Sequence, residues 1–233
     1  MNHLIAECND FIKDCGLTYA FCGGHALEIF TNIKNRTHSD VDITLFAENR
    51  KDIIAFILSK GWDVYEHVHS PNCLKKITDP HDERVQSCFY IWAIKPGCSF
   101  FSIEPRPGED SYFNFEILDK EQKEFDFIDI TFNTRKDGKF ICNEEKDITR
   151  ELDKAILYHE NIPYLAPEVI LFFISNPAYR ESDYHREKNN MDYATTPPFL
   201  PKESIDWLIT AIEKAYPQGN HRLEQLKILQ RTL

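Results

Sequence analysis

The stretch Phe21-Cys22-Gly23-Gly24-His25-Ala26-Leu27-Glu28, followed by Arg36-Thr37-His38-Ser39-Asp40-Val41-Asp42-Ile43, decides how the chain is read. A short apolar strand, Tyr19 to Cys22, runs into two glycines. Ala26, Leu27, Ile29, Phe30 and Ile33 then recur at helical spacing. Glycine tolerates positive φ and lets backbone approach a ligand closely. The N–H groups at a helix start favour an anion such as phosphate, although a Gly-Gly pair by itself is also an ordinary turn. Asp40 and Asp42 are more informative. Two residues apart on a strand, they point to one face, and carboxylates held side by side repel unless a cation neutralises them. Hard oxygen ligands on one face suit Mg²⁺, which takes one or two carboxylates together with substrate phosphates. A lone Asp-x-Asp is common on solvated strand edges. Here a Gly-Gly turn and a helix precede it at short range, with Arg36 and His38 between.

Outward from this stretch the pattern is mixed. Leu4, Ile5, Cys8, Phe11, Ile12 and Cys15 form one apolar helical face that Gly16 stops. Val41 to Phe46 alternates as a strand. Asn49 and Asp52 open a helix carrying Ile53, Ile54, Phe56 and Ile57, closed by Gly61. Asp63–Val68, Phe89–Ile94, Phe100–Glu104, Tyr112–Leu118 and Phe125–Phe132 read as strands between Pro-, Gly- and Asp-rich turns. After Asn143 the periodicity turns helical, with Pro167 as a first-turn proline, a charged segment Ser182–Ala194, and amphipathic helices over Ser204–Tyr216 and Arg222–Gln230. The expected class is α+β, a small mixed sheet flanked by helices. A mixed domain over residues 1–142 would precede a mostly helical region over 143–233.

Composition narrows the partners. Among 233 residues, 38 Asp+Glu against 27 Lys+Arg give a net charge of −11, a poor match for nucleic acid backbones. The 17 Phe and 10 Tyr supply a real core. No apolar run approaches the roughly 20 residues needed to span a bilayer, and the N-terminus shows no secretion signal. Seven cysteines without a Cys-x-x-Cys pair argue against a disulfide framework or structural zinc, and a reducing cytoplasm is expected. Cys8, Cys15 and Cys22, seven apart, read as small apolar side chains. His67 and His69 alternate on one strand face but lack a third ligand, and read as surface histidines. Trp62, Trp92 and Trp207 read as packing residues, with Trp92 also able to line a pocket.

The Gly23-Gly24-x-Ala26-Leu27 and Arg36-x-His38-Ser39-Asp40-x-Asp42-Ile43 segments resemble the signature of DNA polymerase β-like nucleotidyltransferases, in particular the aminoglycoside and lincosamide nucleotidyltransferases. Ile162-Pro163-Tyr164-Leu165-Ala166-Pro167-Glu168-Val169 and Lys188-x-x-x-Asp192-Tyr193 are similar to later segments of that branch. The resemblance implies a small mixed sheet with the two Asp on one strand and a third carboxylate on a neighbour. It places that third acid in Phe125–Ile130, at Asp129. Asp126 lies on the opposite strand face, and Glu116, on the preceding strand, is the reserve.

The chain departs from the family pattern at His25, where an aromatic is usual, at Glu28 in place of Asp, and at Ile174 in place of a Lys. The implied activity is metal-dependent transfer of a nucleoside monophosphate, AMP from ATP, to a hydroxyl of a small molecule such as an antibiotic. Two Mg²⁺ ions and a nucleoside triphosphate would take part. Asp40, Asp42 and Asp129 would be the catalytic metal ligands. Gly23, Gly24, Arg36, His38 and Lys188 would contact the nucleotide, His38 also reading as a structural or solvated loop residue. Glu104, Glu109, Asp110, Glu116 and Asp119 would offer a negative cleft to a polycationic acceptor. Ser70–Asp82 and Asn176–Tyr184 have no family counterpart and would shape the acceptor pocket. Two other readings stand beside this one: a same-fold enzyme modifying RNA or protein, and a non-catalytic nucleotide-binding descendant. The sequence leaves the oligomeric state open.

Overall fold

The computed structural model describes residues 2–69, 72–143, 145–180 and 183–233. Its elements follow in chain order as α1 (His3–Ile12), β1 (Tyr19–Phe21), α2 (Gly23–Thr31), β2 (Asp42–Phe46), α3 (Arg50–Ser59), β3 (Asp63–His69), β4 (Asn72–Ile77), β5 (Tyr90–Ile94), β6 (Phe101–Pro105), β7 (Tyr112–Ile117) and β8 (Phe127–Lys136). They continue as β9 (Lys139–Ile141), β10 (Thr149–Glu151), α4 (Leu152–Ala155), β11 (Ile156–His159), β12 (Ile162–Leu165), α5 (Pro167–Phe173), α6 (Asp183–Thr195), α7 (Lys202–Ala215) and α8 (Leu223–Gln230). The class is α+β. The chain divides into two compact units, Met1–Phe21 with His38–Thr134, and Cys22–Thr37 with Arg135–Leu233.

In the first unit the strands lie in the order β1-β2-β8-β5-β3-β4-β7-β6. β2 and β8 run parallel, while the pairs on either side of them, β1–β2 and β8–β5, are antiparallel. The sheet is therefore mixed. A parallel pair needs a long crossover, which the whole segment between Phe46 and Phe127 supplies. Alternation sends Ile43, Leu45, Ile91, Ala93, Ile128 and Ile130 to one fully buried face. α1 buries Leu4, Ile5, Cys8 and Ile12, and α3 buries Ile53, Ile54 and Ile57, each such side chain contributing about 1.5–3 kcal/mol. Phe11 joins the two helices, its ring 5.5 Å from Phe56 and 4.8 Å from Trp62. Asn2 caps α1 by accepting the Leu4 N–H at 3.0 Å, and Gly16, at φ 69°, closes the turn behind it.

The far end of this sheet coils back on itself. Phe101 of β6 stacks 5.0 Å from Trp92 of β5 and meets Phe127 of β8 at 4.8 Å, although β3, β4 and β7 separate β6 from β5. Strand twist accumulated over these strands supplies the curvature. Tyr65, Leu74, Trp92, Ile94, Phe100, Phe101 and Phe127 fill the concavity.

β4 is a strand that the sequence pattern does not announce, because Lys75 and Lys76 interrupt its apolar run. Both lysines are absorbed by cross-strand partners. Lys75 donates to the Tyr112 hydroxyl at 2.9 Å, and Lys76 pairs with Asp63 at 2.8 Å. Residues 70 and 71, at the start of the segment without a family counterpart, lie outside the described residues, as do 181 and 182 of the second such segment.

The second unit opens with α2, whose first residue, Gly23, sits at φ 62°, a value that glycine alone adopts readily. After residue 143 the chain is chiefly helical, with the short strands β10, β11 and β12 among the helices. Two hairpins, β9/β10 and β11/β12, precede the long helices. Glu160 and Asn161, both at positive φ, make the two-residue turn between β11 and β12. These strands have only three or four residues each, too few to impose a period. α5 starts on Pro167 as expected.

Ion pairs with little solvent access fasten this unit. Arg150 meets Glu168 at 2.7 Å, and its guanidinium lies 5.4 Å from the Trp207 ring. Arg36 grips Asp192 with both prongs, Nε to Oδ1 and Nη2 to Oδ2, each at 3.1 Å. Asn35 adds a third donor to the same carboxylate at 3.2 Å. The Arg222 guanidinium lies 4.2 Å over the Tyr193 ring, which is fully buried.

All seven cysteines are free. Of the three seven apart, Cys8 is buried, while Cys15 and Cys22 are half-buried. Burial pushes the Cys88 thiol up to about 12 and the Cys98 thiol up to about 11. Among the described residues no helix is long and apolar enough to cross a membrane.

Replacing Asp192 with Asn leaves the Arg36 guanidinium buried without its counter-charge, a change that costs about 3–5 kcal/mol. The urea-unfolding midpoint of Asp192→Asn is expected to fall accordingly. An unchanged midpoint would show that the fork contributes nothing.

Candidate metal centre

The floor of the site is the parallel pair β2/β8, in which Asp42 stands directly opposite Asp129. In-register residues of neighbouring strands lie about 4.8 Å apart and point the same way, so the two carboxylates share a face. Asp40 does not lie on the strand, as the sequence pattern suggested. It occupies the bend just before β2, which begins at Asp42. The bend nevertheless brings it to the same place: one carboxylate oxygen from each of Asp40, Asp42 and Asp129 lies within 4.8 Å of the other two. All three residues are half-buried.

Hydrogen bonds hold this bend against β8. The Asp129 N–H donates to the Val41 carbonyl at 3.0 Å, and the Ser39 hydroxyl donates to Asp40 Oδ1 at 2.7 Å. Gln122, 2% exposed, works as a strut. Its backbone N–H donates to the Ser39 carbonyl at 2.9 Å, and its side-chain amide donates to the Phe127 carbonyl at 2.9 Å. On the same face as the acids, Asn133 donates to the Thr44 hydroxyl at 2.8 Å, tying β8 to β2 with a buried polar pair. Sequence reading quoted Ser39 in the motif without a role, and passed over Thr44, Gln122 and Asn133. Strand alternation would have found two of them, since Thr44 lies two residues beyond Asp42 and Asn133 four beyond Asp129.

The competing third acids stand elsewhere. Asp126 accepts from the Ser99 N–H at 2.8 Å and the Ser99 hydroxyl at 3.0 Å, which closes the β5–β6 connection. Glu116 lies on β7, four strands from β8, and is exposed. Its register partner is Ser102, which with Glu104 belongs to the opposite face of the sheet. His38 is buried at 7% exposure, not solvated. His67 is half-buried against Trp92, while the side chain of His69 lies outside the described residues.

The other nucleotide candidates belong to the second unit. Gly23 and Gly24 open α2, and His25 Nδ1 lies 3.8 Å from Glu28 Oε2 on the same helix. Arg36 is held by Asp192 as described, and Lys188 is half-buried on α6. Burial and the neighbouring Lys188 charge lower the pKa of His185.

Three carboxylate oxygens gathered in this way suit one hard divalent cation. Oxygen ligands at about 2.0–2.6 Å stand at most about 4–5 Å from each other across the ion, and the separation here falls within that span. Without an ion, each pair of unit charges at this distance repels by about 3 kcal/mol at an effective dielectric of about 20.

No protein-family model matches the chain, and no curated protein matches it by sequence. Among the solved structures that align with it are three of antibiotic-resistance proteins. The antibiotic-resistance factor ANT(2'')-Ia in solution aligns with a TM-score of 0.46 at 15% identity, over 93% of this chain and 91% of that one. The lincosamide antibiotic adenylyltransferase LnuA with lincomycin bound aligns at 0.46 and 14% identity, over 84% of this chain and 98% of that one. ANT(2'')-Ia in complex with adenylyl-2''-tobramycin aligns at 0.44 and 15% identity, over 92% and 95%. Likeness of this degree assigns neither an activity nor a residue.

A cation bound to the native state raises stability by mass action, by about 2.7 kcal/mol at a hundred times its Kd. Mg²⁺ or Mn²⁺ is expected to raise the melting temperature of the native protein, and Asp42→Asn is expected to abolish that rise. Equal metal-dependent shifts in both proteins would remove the centre.

Proposed function

We propose that the protein is a metal-dependent nucleotidyltransferase that moves AMP from ATP to a hydroxyl of a small molecule, in the manner of antibiotic adenylyltransferases. The single observation that carries this reading is the convergence of Asp40, Asp42 and Asp129 on one face of β2/β8. The motif resemblance supports it independently.

Phosphoryl chemistry of this kind depends on positioning and on neutralising charge. Asp40 and Asp42 would hold Mg²⁺ against the triphosphate, and Asp129 would share a second ion. When bound, two such ions stabilise the attacking and the leaving oxygens of an in-line displacement. Alternatively, Asp129 would take the acceptor proton. The acceptor oxygen then bonds to the α-phosphorus, the bond from that phosphorus to the bridging oxygen breaks, and pyrophosphate leaves with the electron pair. Gly23 and Gly24 would offer backbone N–H groups to phosphates, with Arg36, His38 and Lys188 as further contacts. Asp192 fixes the Arg36 guanidinium on two sides, so any phosphate contact from Arg36 would use its remaining edge. The net charge of −11 opposes an RNA substrate, and the intact trio of acids opposes a non-catalytic role.

Pyrophosphate release from ATP with Mg²⁺, followed across a panel of hydroxylated antibiotics and other small molecules, tests the proposal. A responsive acceptor is expected. Asp42→Asn and Asp129→Asn are each expected to lower kcat/KM more than about 100-fold, since even the outer partners of metal ligands cost 10–100-fold. Wild-type turnover retained in both variants would overturn it.

A further inference from the structure

Asp42 and Asp129 face each other in register, so they cannot part without breaking the β2/β8 ladder. Asp40 stands outside that ladder, in the bend ahead of β2. The width of the carboxylate trio is therefore set by whatever holds the bend. Two carbonyls flank Asp40 along the chain, and each accepts a hydrogen bond from the segment that leads into β8. The Val41 carbonyl takes the Asp129 N–H at 3.0 Å, and the Ser39 carbonyl takes the Gln122 N–H at 2.9 Å. The first donor is fixed by the ladder itself. The second belongs to the connection between β7 and β8, and its own side chain holds it in place. The Gln122 amide turns back and donates to the Glu124 carbonyl and to the Phe127 carbonyl, each at 2.9 Å. Phe127 opens β8 two residues before Asp129, so this lock ties the Asp40 bend to the strand that carries Asp129.

The character of this side chain sets it apart from ordinary packing. Gln122 is 2% exposed, yet its Oε1 accepts no hydrogen bond among the described residues. A buried acceptor left without a donor is a cost, and an apolar side chain of the same length would avoid it. What the amide supplies, and such a side chain lacks, is the pair of donors that locks the bend.

A locked bend discriminates between ions. Ca²⁺ takes six to eight oxygens at about 2.3–2.6 Å in flexible geometry, whereas Mg²⁺ demands a near-ideal octahedron at about 2.0–2.1 Å. A cage whose oxygens cannot move outward favours the smaller ion, and one that can widen admits the larger. We propose that Gln122 is a positioning residue that makes the trio prefer Mg²⁺ to Ca²⁺, by fixing the bend of Asp40 against the Asp42/Asp129 pair. The inference deepens the nucleotidyltransferase reading and rests on its metal centre. Gln122 acts through Asp40 and is not itself a ligand.

The test reads ion affinity, not turnover. Mn²⁺ bound to the whole protein loses its free-ion EPR signal, and its displacement by MgCl₂ or CaCl₂ gives the two affinities. The wild type is expected to favour Mg²⁺. Gln122→Met keeps the chain length and the backbone N–H, and it removes the orphaned oxygen. This variant is expected to hold Mg²⁺ about 10-fold more weakly, the loss typical of an outer partner of a metal ligand, while Ca²⁺ weakens far less. Ile54→Val, a buried change on α3 away from the acids, is expected to keep the wild-type ratio of affinities. A wild-type preference for Ca²⁺ would overturn the inference. So would a ratio unchanged in Gln122→Met, both ions weakened there by one factor, or an equal change of ratio in Ile54→Val. A wild type that binds neither ion would overturn the inference and the metal centre together. Selectivity that depends on Gln122, without pyrophosphate release for any acceptor, would uphold the inference and overturn the nucleotidyltransferase reading alone.

Discussion

Mutual repulsion of carboxylates is the constraint on which the rest of the site depends. Asp42 and Asp129 are forced together by the register of β2 against β8, and Asp40 is brought to them by a bend that precedes the strand. Nothing in the local chemistry of three acids favours this arrangement. The surrounding fold must supply the energy, and it does so through the ladder itself and the buried faces on either side of it. A divalent ion, if bound, would offset this repulsion.

The restraints nearest the acids are polar, and this follows from where they sit. Gln122 spans from the Ser39 carbonyl to the Phe127 carbonyl, so it couples the Asp40 bend to the root of β8. Asn133 and Thr44 do the same for the two strands beyond the acids. A buried amide or hydroxyl without a partner is expensive, and this makes such a pair intolerant of register slips. An apolar contact in the same place would resist sliding far less, because apolar contacts are non-directional. In the second unit, the two-pronged Arg36–Asp192 pair and the Arg150–Glu168 pair play a comparable specifying role.

Asp40 and Asp42 were legible together because they stand close in the chain, whereas Asp129 came from the family resemblance, with strand alternation only setting it apart from Asp126. The hydrogen bonds of Asp126 to Ser99 were not legible, because they cross between β5–β6 and β8. The short hairpins β9/β10 and β11/β12 were missed because strands of three or four residues carry no readable period. β4 was missed because its lysines look solvated in one dimension and are paired in three. For His38 the sequence left a structural and a solvated role open, and its burial removes the solvated one.

By itself, the sequence determined the α+β alternation, the helical faces of α1, α3 and α7, the proline that opens α5, and the nearness of Asp40 to Asp42. Those properties reside in spacing along the chain, where helix and strand periods act directly. Only the tertiary structure decided that Trp92 stands beside Asp129, that β6 coils back over β5, and that Arg36 is clamped by Asp192. Register, sheet curvature and long-range ion pairing arise from residues dozens of positions apart, and their energies exist only once the chain has closed upon itself.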